Sequence, residues 1–278
     1  MKGKTVVATG ATSGIGEVAV LKLAAMGARI VFVARDPKRA DATLAALERV
    51  APGGGHRRHI ADLSLIAETK RVAEKILAAE PRIDVLVNNA GAMFSRRWVT
   101  AEGLEMTFAL NHMAYFVLTQ ALRERLIASA PARIVSTASR AHAGARLAFD
   151  DLQCLREYNG MRAYRRSKLA NILFTRELAR RLAGSGVTAN CFHPGFVASR
   201  FADQAGGWSG RAFGLAKRFF AVPPEQGADT LIFLASSPEA AAVSGEYFAK
   251  RKPAKLSPAA REAAAARLLW ERSEEIAE

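Results

Sequence analysis

The sequence predicts an α/β protein: one doubly wound parallel sheet with helices on both faces. Three observations predict it. Short runs rich in β-branched residues alternate with helical stretches along most of the chain. The first of these runs ends in a glycine-rich turn that opens directly into a helical pattern. The chain has 278 residues, 50% of them hydrophobic, which suits one large domain with a buried core.

The predicted strands, in order, are Thr5–Thr9, Arg29–Ala34, His56–Ala61, Val85–Asn88, Arg133–Thr137, Thr188–His193 and a short Glu246–Ala249. Between them the predicted helices are Ile15–Met26, Pro37–Val50, Leu65–Ala79, Ala101–Ala128, Met161–Ala183 and Glu225–Ser236. Within Met161–Ala183, Leu169, Ile172, Leu173, Leu178 and Leu182 recur at helical spacing, so one face is apolar. Right-handed crossovers between such strands give a Rossmann-like sheet whose ligands belong at the carboxyl ends of the strands. Two segments fall outside this rhythm. Residues 196–222 are rich in aromatics and glycine. Residues 250–278 open as Lys-Arg-Lys-Pro and become helical after Pro258, with Leu268, Leu269 and Trp270 as an apolar patch. Residues 1–249 are expected to form the ligand-binding unit and 250–278 to belong to the same domain, since no linker or repeat divides the chain.

The bulk composition excludes several classes. Cys154 and Cys191 are far apart and lack CxxC partners, so they read as buried thiols in a reducing compartment. No apolar run reaches the roughly 18 residues needed to span a membrane. Met1–Lys4 lead almost directly into strand pattern, which leaves no signal sequence and makes the cytoplasm the expected location. The net charge of +14 could favour anionic partners. Its densest stretch holds Arg156, Arg162, Arg165, Arg166, Lys168, Arg176, Arg180 and Arg181, spread along a helical pattern with no interleaved aromatic stripe. It reads as a solvated basic surface. No nucleic acid is expected, and peripheral membrane contact and a homo-oligomer remain compatible with the sequence.

The glycine-rich turn carries the first chemical signal. Strand Thr5–Thr9 runs into Gly10-Ala11-Thr12-Ser13-Gly14-Ile15-Gly16 and then a helix. Glycines here permit positive φ and let a pyrophosphate approach the backbone closely. The helix N-terminus adds unpaired N–H groups and a favourable dipole. Two further patterns follow at later positions: Asn88-Asn89-Ala90-Gly91 after the fourth strand, and Tyr164-x-x-x-Lys168. With these three patterns the chain resembles the short-chain dehydrogenase/reductase family from Lys4 to about Phe248. The stretch Ser167-Lys168-Leu169-Ala170-Asn171-Ile172-Leu173-Phe174 is most similar to the branch containing retinol dehydrogenases and their bacterial relatives.

The resemblance implies a nicotinamide dinucleotide at Gly10, Thr12, Ser13, Gly14, Ile15 and Gly16. It implies Asp62 and Leu63 at the adenine, and Asn88, Ala90 and Gly91 along the cleft. Pro194, Gly195 and the backbone of Val197 would meet the nicotinamide, with Ser199 where the family often has threonine. The end of the second strand separates the cofactors. NAD sites place a carboxylate about 20 residues past the glycines, whereas NADP sites use an arginine. Here Arg35 stands in that region, followed by Asp36-Pro37, which reads as a helix N-cap with proline at N1. NADP(H) is therefore expected over NAD(H), with Ser13 and Arg39 as additional phosphate contacts.

Tyr164 and Lys168 stand four apart on a predicted helix and share a face. A phenol near its free pKa of about 10 gives up its proton reluctantly at neutrality. A neighbouring ammonium is expected to lower that value towards the range useful for acid–base catalysis. The resemblance adds Ser139 as donor to a substrate carbonyl oxygen, with Ser136 as a distant second. It also adds Asn111, which anchors a water in the family's proton relay; an asparagine in mid-helix is otherwise an unfavourable choice. The reading is hydride transfer between NADP(H) and a small-molecule carbonyl or alcohol, with Tyr164 and Lys168 also at the cofactor. The NADP preference suggests reduction as the working direction. The resemblance implies that segment 196–222 is a lid over the substrate, and its Phe196, Phe201, Trp208, Phe213, Phe219 and Phe220 suggest a lipophilic aldehyde or ketone, although such rings equally suit a core or subunit contact. A sugar-nucleotide epimerase would need a larger C-terminal part. The alternative outside enzymes is a catalytically silent dinucleotide-sensing protein on the same fold.

Overall fold

The computed structural model describes residues 1–195 and 222–278. The aromatic segment, with Val197 and Ser199, lies outside the described residues. The chain begins with strand β1 (Thr5–Thr9), helix α1 (Gly14–Ala25), β2 (Arg29–Ala34), α2 (Pro37–Val50), β3 (Arg57–Ile60) and α3 (Ile66–Ala79). Then come β4 (Val85–Asn88), α4 (Met106–Phe108), a π-helical turn at Ala109–Met113, α5 (Ala114–Ala128) and β5 (Ala132–Thr137). A 3₁₀ turn at Arg140–His142 leads to α6 (Gly160–Arg181) and β6 (Val187–Phe192). The chain closes with α7 (Pro224–Ser236), β7 (Tyr247–Ala249), β8 (Lys252–Pro253), α8 (Pro258–Arg261) and α9 (Ala263–Ala277).

The strand order is β3-β2-β1-β4-β5-β6-β7-β8, parallel throughout except for the antiparallel β7–β8 pair. From β1 the chain winds outward to β3, then crosses to β4 and winds the other way. The carboxyl ends of β1 and β4 therefore flank the switch point where doubly wound sheets bind ligands.

Strand alternation sends side chains to two cores. Val7, Val31, Val33, Leu86 and Ile134 pack in one core with residues of α3, α5, α6 and α9. Val6, Ala8, Ile30, Phe32, Val85 and Phe192 pack in the other with residues of α1, α2 and α7. Both faces of the sheet are thus buried, which explains the nearly continuous apolar runs in β1, β2 and β4. Cys154 and Cys191 are buried free thiols.

Two predicted boundaries shift for physical reasons. The helix expected from Ala101 begins at Met106, because Gly103 has φ +83° and the buried Glu105 carboxylate accepts from the N–H groups of Thr107 and Phe108, both at 2.8 Å. Helix α3 starts at Ile66 rather than Leu65, with Glu102 accepting from the N–H groups of Ile66 and Ala67. Strand β8 was not anticipated; two residues ending in proline carry little strand signal.

The C-terminal helix docks on its own chain. Trp270 is 2% exposed, stacks on Phe174 with centroids 5.9 Å apart and meets Phe116 edge-on at 5.1 Å. The Arg181 guanidinium lies 4.3 Å from the Trp270 ring centroid. Trp270→Ala is expected to cost about 3–5 kcal/mol of stability, as large-to-small core substitutions do. Denaturant unfolding checks this; a loss below about 1 kcal/mol, within the range of surface substitutions, would mean that α9 contributes little to the core.

Candidate active site

The loop after β1 is held open by glycines that could not be anything larger. Gly10 has φ +65°, and a Cβ there would stand 2.8 Å from both Cα and N of Ala90. Gly14 has φ +57°. A Cβ on Gly16 would stand 2.1 Å from the Gly10 carbonyl oxygen, so α1 can start this close to the loop only without a side chain. Ser13 is the N-cap of α1, yet its side chain makes no capping bond, and Ser13, Gly14 and Ile15 all line the cleft.

Thr9 and Asn89 join the three strands around the switch point. The Thr9 hydroxyl accepts from the N–H groups of Asn89 (2.9 Å) and Ala90 (3.1 Å). Asn89 Nδ2 donates to the Gly10 carbonyl at 3.1 Å, and its Oδ1 accepts from the Thr137 hydroxyl at 2.9 Å. One amide thus ties the ends of β1, β4 and β5 together.

Asn88, expected in the cleft, is placed elsewhere. It pairs with Ser136 within the sheet and is fully buried, with Nδ2 donating to the Thr119 hydroxyl at 2.9 Å. Its neighbour Asn89 takes the cleft position because successive strand residues point opposite ways. Ser136 is likewise buried in β5, whereas Ser139 lines the cleft. Leu63 turns its side chain into the core. Asp62 lies two residues past β3, and its Oδ1 accepts from the N–H (3.0 Å) and hydroxyl (2.7 Å) of Ser64.

At the end of β2, Asp36 caps α2: its Oδ1 accepts from Lys38 N at 2.9 Å and Arg39 N at 3.2 Å. Arg39 donates to the Thr12 carbonyl at 2.7 Å, bracing the glycine-rich loop. Arg35 is exposed and has no hydrogen-bond or ion-pair partner among the described residues.

On the other side of the cleft, Ser139 caps the 3₁₀ turn, with its hydroxyl accepting from Ala141 N at 3.1 Å. The His142 ring Nδ1 lies 2.8 Å from the Ser139 carbonyl and must donate to it. This contact from the following turn was not foreseen; an isolated histidine five residues past a strand gives no signal of it.

Tyr164 and Lys168 both line the cleft from α6. Lys168 Nζ donates to the Thr137 carbonyl at 3.1 Å and stands 5.7 Å from the Tyr164 ring centroid and 5.9 Å from that of Tyr115. Asn171 shares the same carbonyl through Nδ2 at 3.2 Å. The electrostatics differ from the sequence expectation. Burial pushes the Tyr164 phenol up to about 12, opposed by a hydrogen bond with Ser139. Burial also pulls Lys168 down to about 7. For both groups the loss of solvent is the largest cause of the shift.

Asn111 sits in the π-helical turn, which re-aims it across the bundle. Its Oδ1 accepts from Ala92 N, and its Nδ2 donates to the Ala92 carbonyl, all at 2.9 Å, and to the Ser167 hydroxyl at 3.0 Å. A Cβ on Gly91 would stand 3.1 Å from Asn111 Oδ1 and 3.5 Å from Lys168 Nζ. The loop after β4 is thus pinned to α6, one residue from Lys168. The cleft has a volume of about 600 Å³; Ala90, Gly91, Thr137, Pro194 and Gly195 also line it.

A family profile described as short chain dehydrogenase matches residues 4–209. The chain belongs to the short-chain dehydrogenase/reductase family. Within it the chain falls in the retinol dehydrogenase-like branch. It is 40% identical to human retinol dehydrogenase 14, over 99% of this chain and 86% of that protein. It is also 40% identical to human retinol dehydrogenase 13, over 98% and 83%. Among solved structures, it is similar to a Pseudomonas aeruginosa RhlG/NADP active-site complex, with a TM-score of 0.71, 29% identity and coverage of 89% and 94%. A Burkholderia cenocepacia short chain dehydrogenase in complex with NADP gives 0.69, 28%, 88% and 95%. This short-chain dehydrogenase/reductase is accordingly an oxidoreductase of a nicotinamide-dinucleotide family acting on small molecules.

Proposed function

We propose that this enzyme transfers hydride between NADP(H) and a lipophilic carbonyl compound or its alcohol, with Tyr164 as the proton donor. The observation that carries the NADP preference lies at the end of β2. There Asp36 is committed to capping α2, while the Arg35 guanidinium is exposed and has no partner among the described residues. The NADP complexes among similar structures point the same way.

The residues present fit a dinucleotide. Gly10, Gly14 and Gly16 leave a cradle that side chains would fill, and the N-terminus of α1 with the uncommitted Ser13 hydroxyl offers donors to phosphate. Lys168 would hold the nicotinamide ribose, and Pro194 and Gly195, which line the cleft, would border the nicotinamide. When bound, the cofactor supplies or accepts the hydride at the substrate carbon. Ser139 donates a hydrogen bond to the carbonyl oxygen and stabilises the charge developing there. Tyr164 gives its proton to that oxygen. Its raised pKa keeps it protonated at working pH, and an alkoxide is more basic than a phenolate, so the proton moves downhill. An anionic cofactor favours the ammonium form of Lys168, which then stabilises the phenolate left behind. Asn111 holds the β4 loop in register with Lys168. The apolar part of the lining, Met93, Ala138, Ala141 and Met161, suits a lipophilic substrate, as do the retinol dehydrogenase relatives.

The test is kcat/KM for NADPH and NADH in wild type, Arg35→Ala and Arg35→Asp, with a panel of aldehydes and ketones of graded hydrophobicity. A hydrogen bond to a charged group contributes roughly 1.5–3 kcal/mol, so Arg35→Ala should lose roughly 10- to 150-fold with NADPH and little with NADH. Arg35→Asp should go further, by repelling the 2′-phosphate. Equal losses with both cofactors would make Arg35 a support of the fold. Rates that do not rise with substrate hydrophobicity would remove the lipophilic part of the proposal.

A further inference from the structure

Arg140 and His193 line the substrate end of the cleft, Lys250 lies near enough for its charge to act on His193, and none of the three has an acidic partner among the described residues. Arg140 follows Ser139 directly, is exposed, lines the cleft, and has no hydrogen-bond or ion-pair partner among the described residues. His193, at the end of β6, also lines the cleft. Its Nδ1 accepts from Gly195 N at 3.1 Å, which leaves the other ring nitrogen, Nε2, as the proton-bearing donor of the neutral imidazole. Lys250, exposed and equally unpartnered, follows β7 with φ +50°. These groups sense one another: besides burial, the charges of Arg140 and Lys250 hold the His193 pKa below its ordinary value. The rings of His142 and His193 flank Tyr247, with centroids 5.0 and 5.8 Å from it. Among the described residues, no Asp or Glu lines the cleft.

The sheet order separates this group from the cofactor phosphates. Arg140, His193 and Lys250 follow β5, β6 and β7, whereas Arg35 and the glycine-rich loop follow β2 and β1. From β2 to β5 is three strand spacings, roughly 14 Å at about 4.8 Å each. Their positive potential therefore falls beyond Ser139 and Tyr164, where substrate rather than dinucleotide phosphate lies. An unpaired guanidinium in a cleft with apolar walls is a ready partner for a planar carboxylate, which it can bind through two parallel hydrogen bonds.

We propose that Arg140, with His193 and Lys250, forms an anion-recognising subsite, so that the substrate is a lipophilic carbonyl compound or alcohol that also carries a carboxylate. The inference rests on the oxidoreductase reading above and narrows its substrate class. It explains why a cleft lined by Met93, Met161, Ala138 and Ala141 ends in positive charge.

The test compares a medium-chain oxo-carboxylic acid with its methyl ester, identical at the reacting carbonyl, using NADPH and the full-length enzyme. Wild type should prefer the acid by roughly tenfold or more. Arg140→Gln should lower the acid-to-ester ratio of kcat/KM by roughly 10- to 150-fold, the value of a hydrogen bond to a charged group. Lys250→Gln should lower it less, and added salt should erode the wild-type ratio. Equal use of acid and ester by wild type would overturn the subsite, as would an unchanged ratio in Arg140→Gln. A KM for NADPH that rises in parallel would assign Arg140 to the cofactor instead and also overturn it. If neither compound is turned over with either cofactor, the oxidoreductase reading fails, and calorimetric titration of the acid then judges the subsite alone. Binding lost in Arg140→Gln supports it, and binding unaffected by that change overturns it.

Discussion

Tyr164→Phe should lower kcat/KM by about 10²- to 10⁴-fold, the usual contribution of a positioned acid–base group. The substitution removes one oxygen and keeps the ring, so the packing of α6 against the cleft is preserved. NADPH affinity, measured by fluorescence titration, should change little, because the cradle of Gly10, Gly14 and Gly16 and the Lys168 ammonium are untouched. The Tyr164 phenol, held at about 12 by burial, is a proton store rather than a nucleophile, and phenylalanine has no proton to give. Activity retained above about a tenth of wild type would sink the assignment, since that lies outside the range for such a group. Loss of cofactor affinity in step with activity would instead make Tyr164 a binding residue.

Gly16→Ala carries the second large effect. The new methyl would stand 2.1 Å from the Gly10 carbonyl oxygen and 2.5 Å from Asn89 Nδ2, and the first of these is backbone that cannot rotate away. The loop must move off α1, breaking the Asn89–Gly10 bond and misaligning the N–H groups offered to phosphate. Two hydrogen bonds to a charged group lost together predict a fall in NADPH affinity of about 100-fold or more. Overpacking adds a stability loss of about 1–3 kcal/mol. Gly184→Ala is the control. Gly184 has φ +80° with nothing within 4 Å of its would-be Cβ, so it should lose about 1–2 kcal/mol from backbone strain alone and no cofactor affinity. Equal effects of the two substitutions on binding would mean that strain, not the approach of α1 to the loop, governs the cradle.

Some of the site was legible in the chain because its cause is local. The β-branched runs of β1, β2 and β4 fix strands wherever they stand, and the glycines at 10, 14 and 16 mark a turn that backbone sterics demand. Asp36-Pro37 announces the start of α2 by capping chemistry alone, and the structure places both residues in that role. Tyr164 and Lys168, four apart on one helix, necessarily share a face. These features depend on residues within a turn or two of each other, so the sequence by itself determined them.

The remainder depended on which distant segments meet, and only the tertiary structure decided it. Whether Asn88 or Asn89 faces the cleft turns on the register of β4 against β5, which no local pattern specifies. The start of α4 at Met106 depends on a buried carboxylate, and the use of Asn111 depends on a π-helical turn that brings it to Ala92 and Ser167. The charge states depended on it most. The Lys168 ammonium was expected to lower the Tyr164 pKa. Folding takes both away from water, and the loss of solvent raises the phenol and lowers the amine. Desolvation is a sum over everything that packs around a group. It therefore belongs to the fold and is not written in the spacing of two residues.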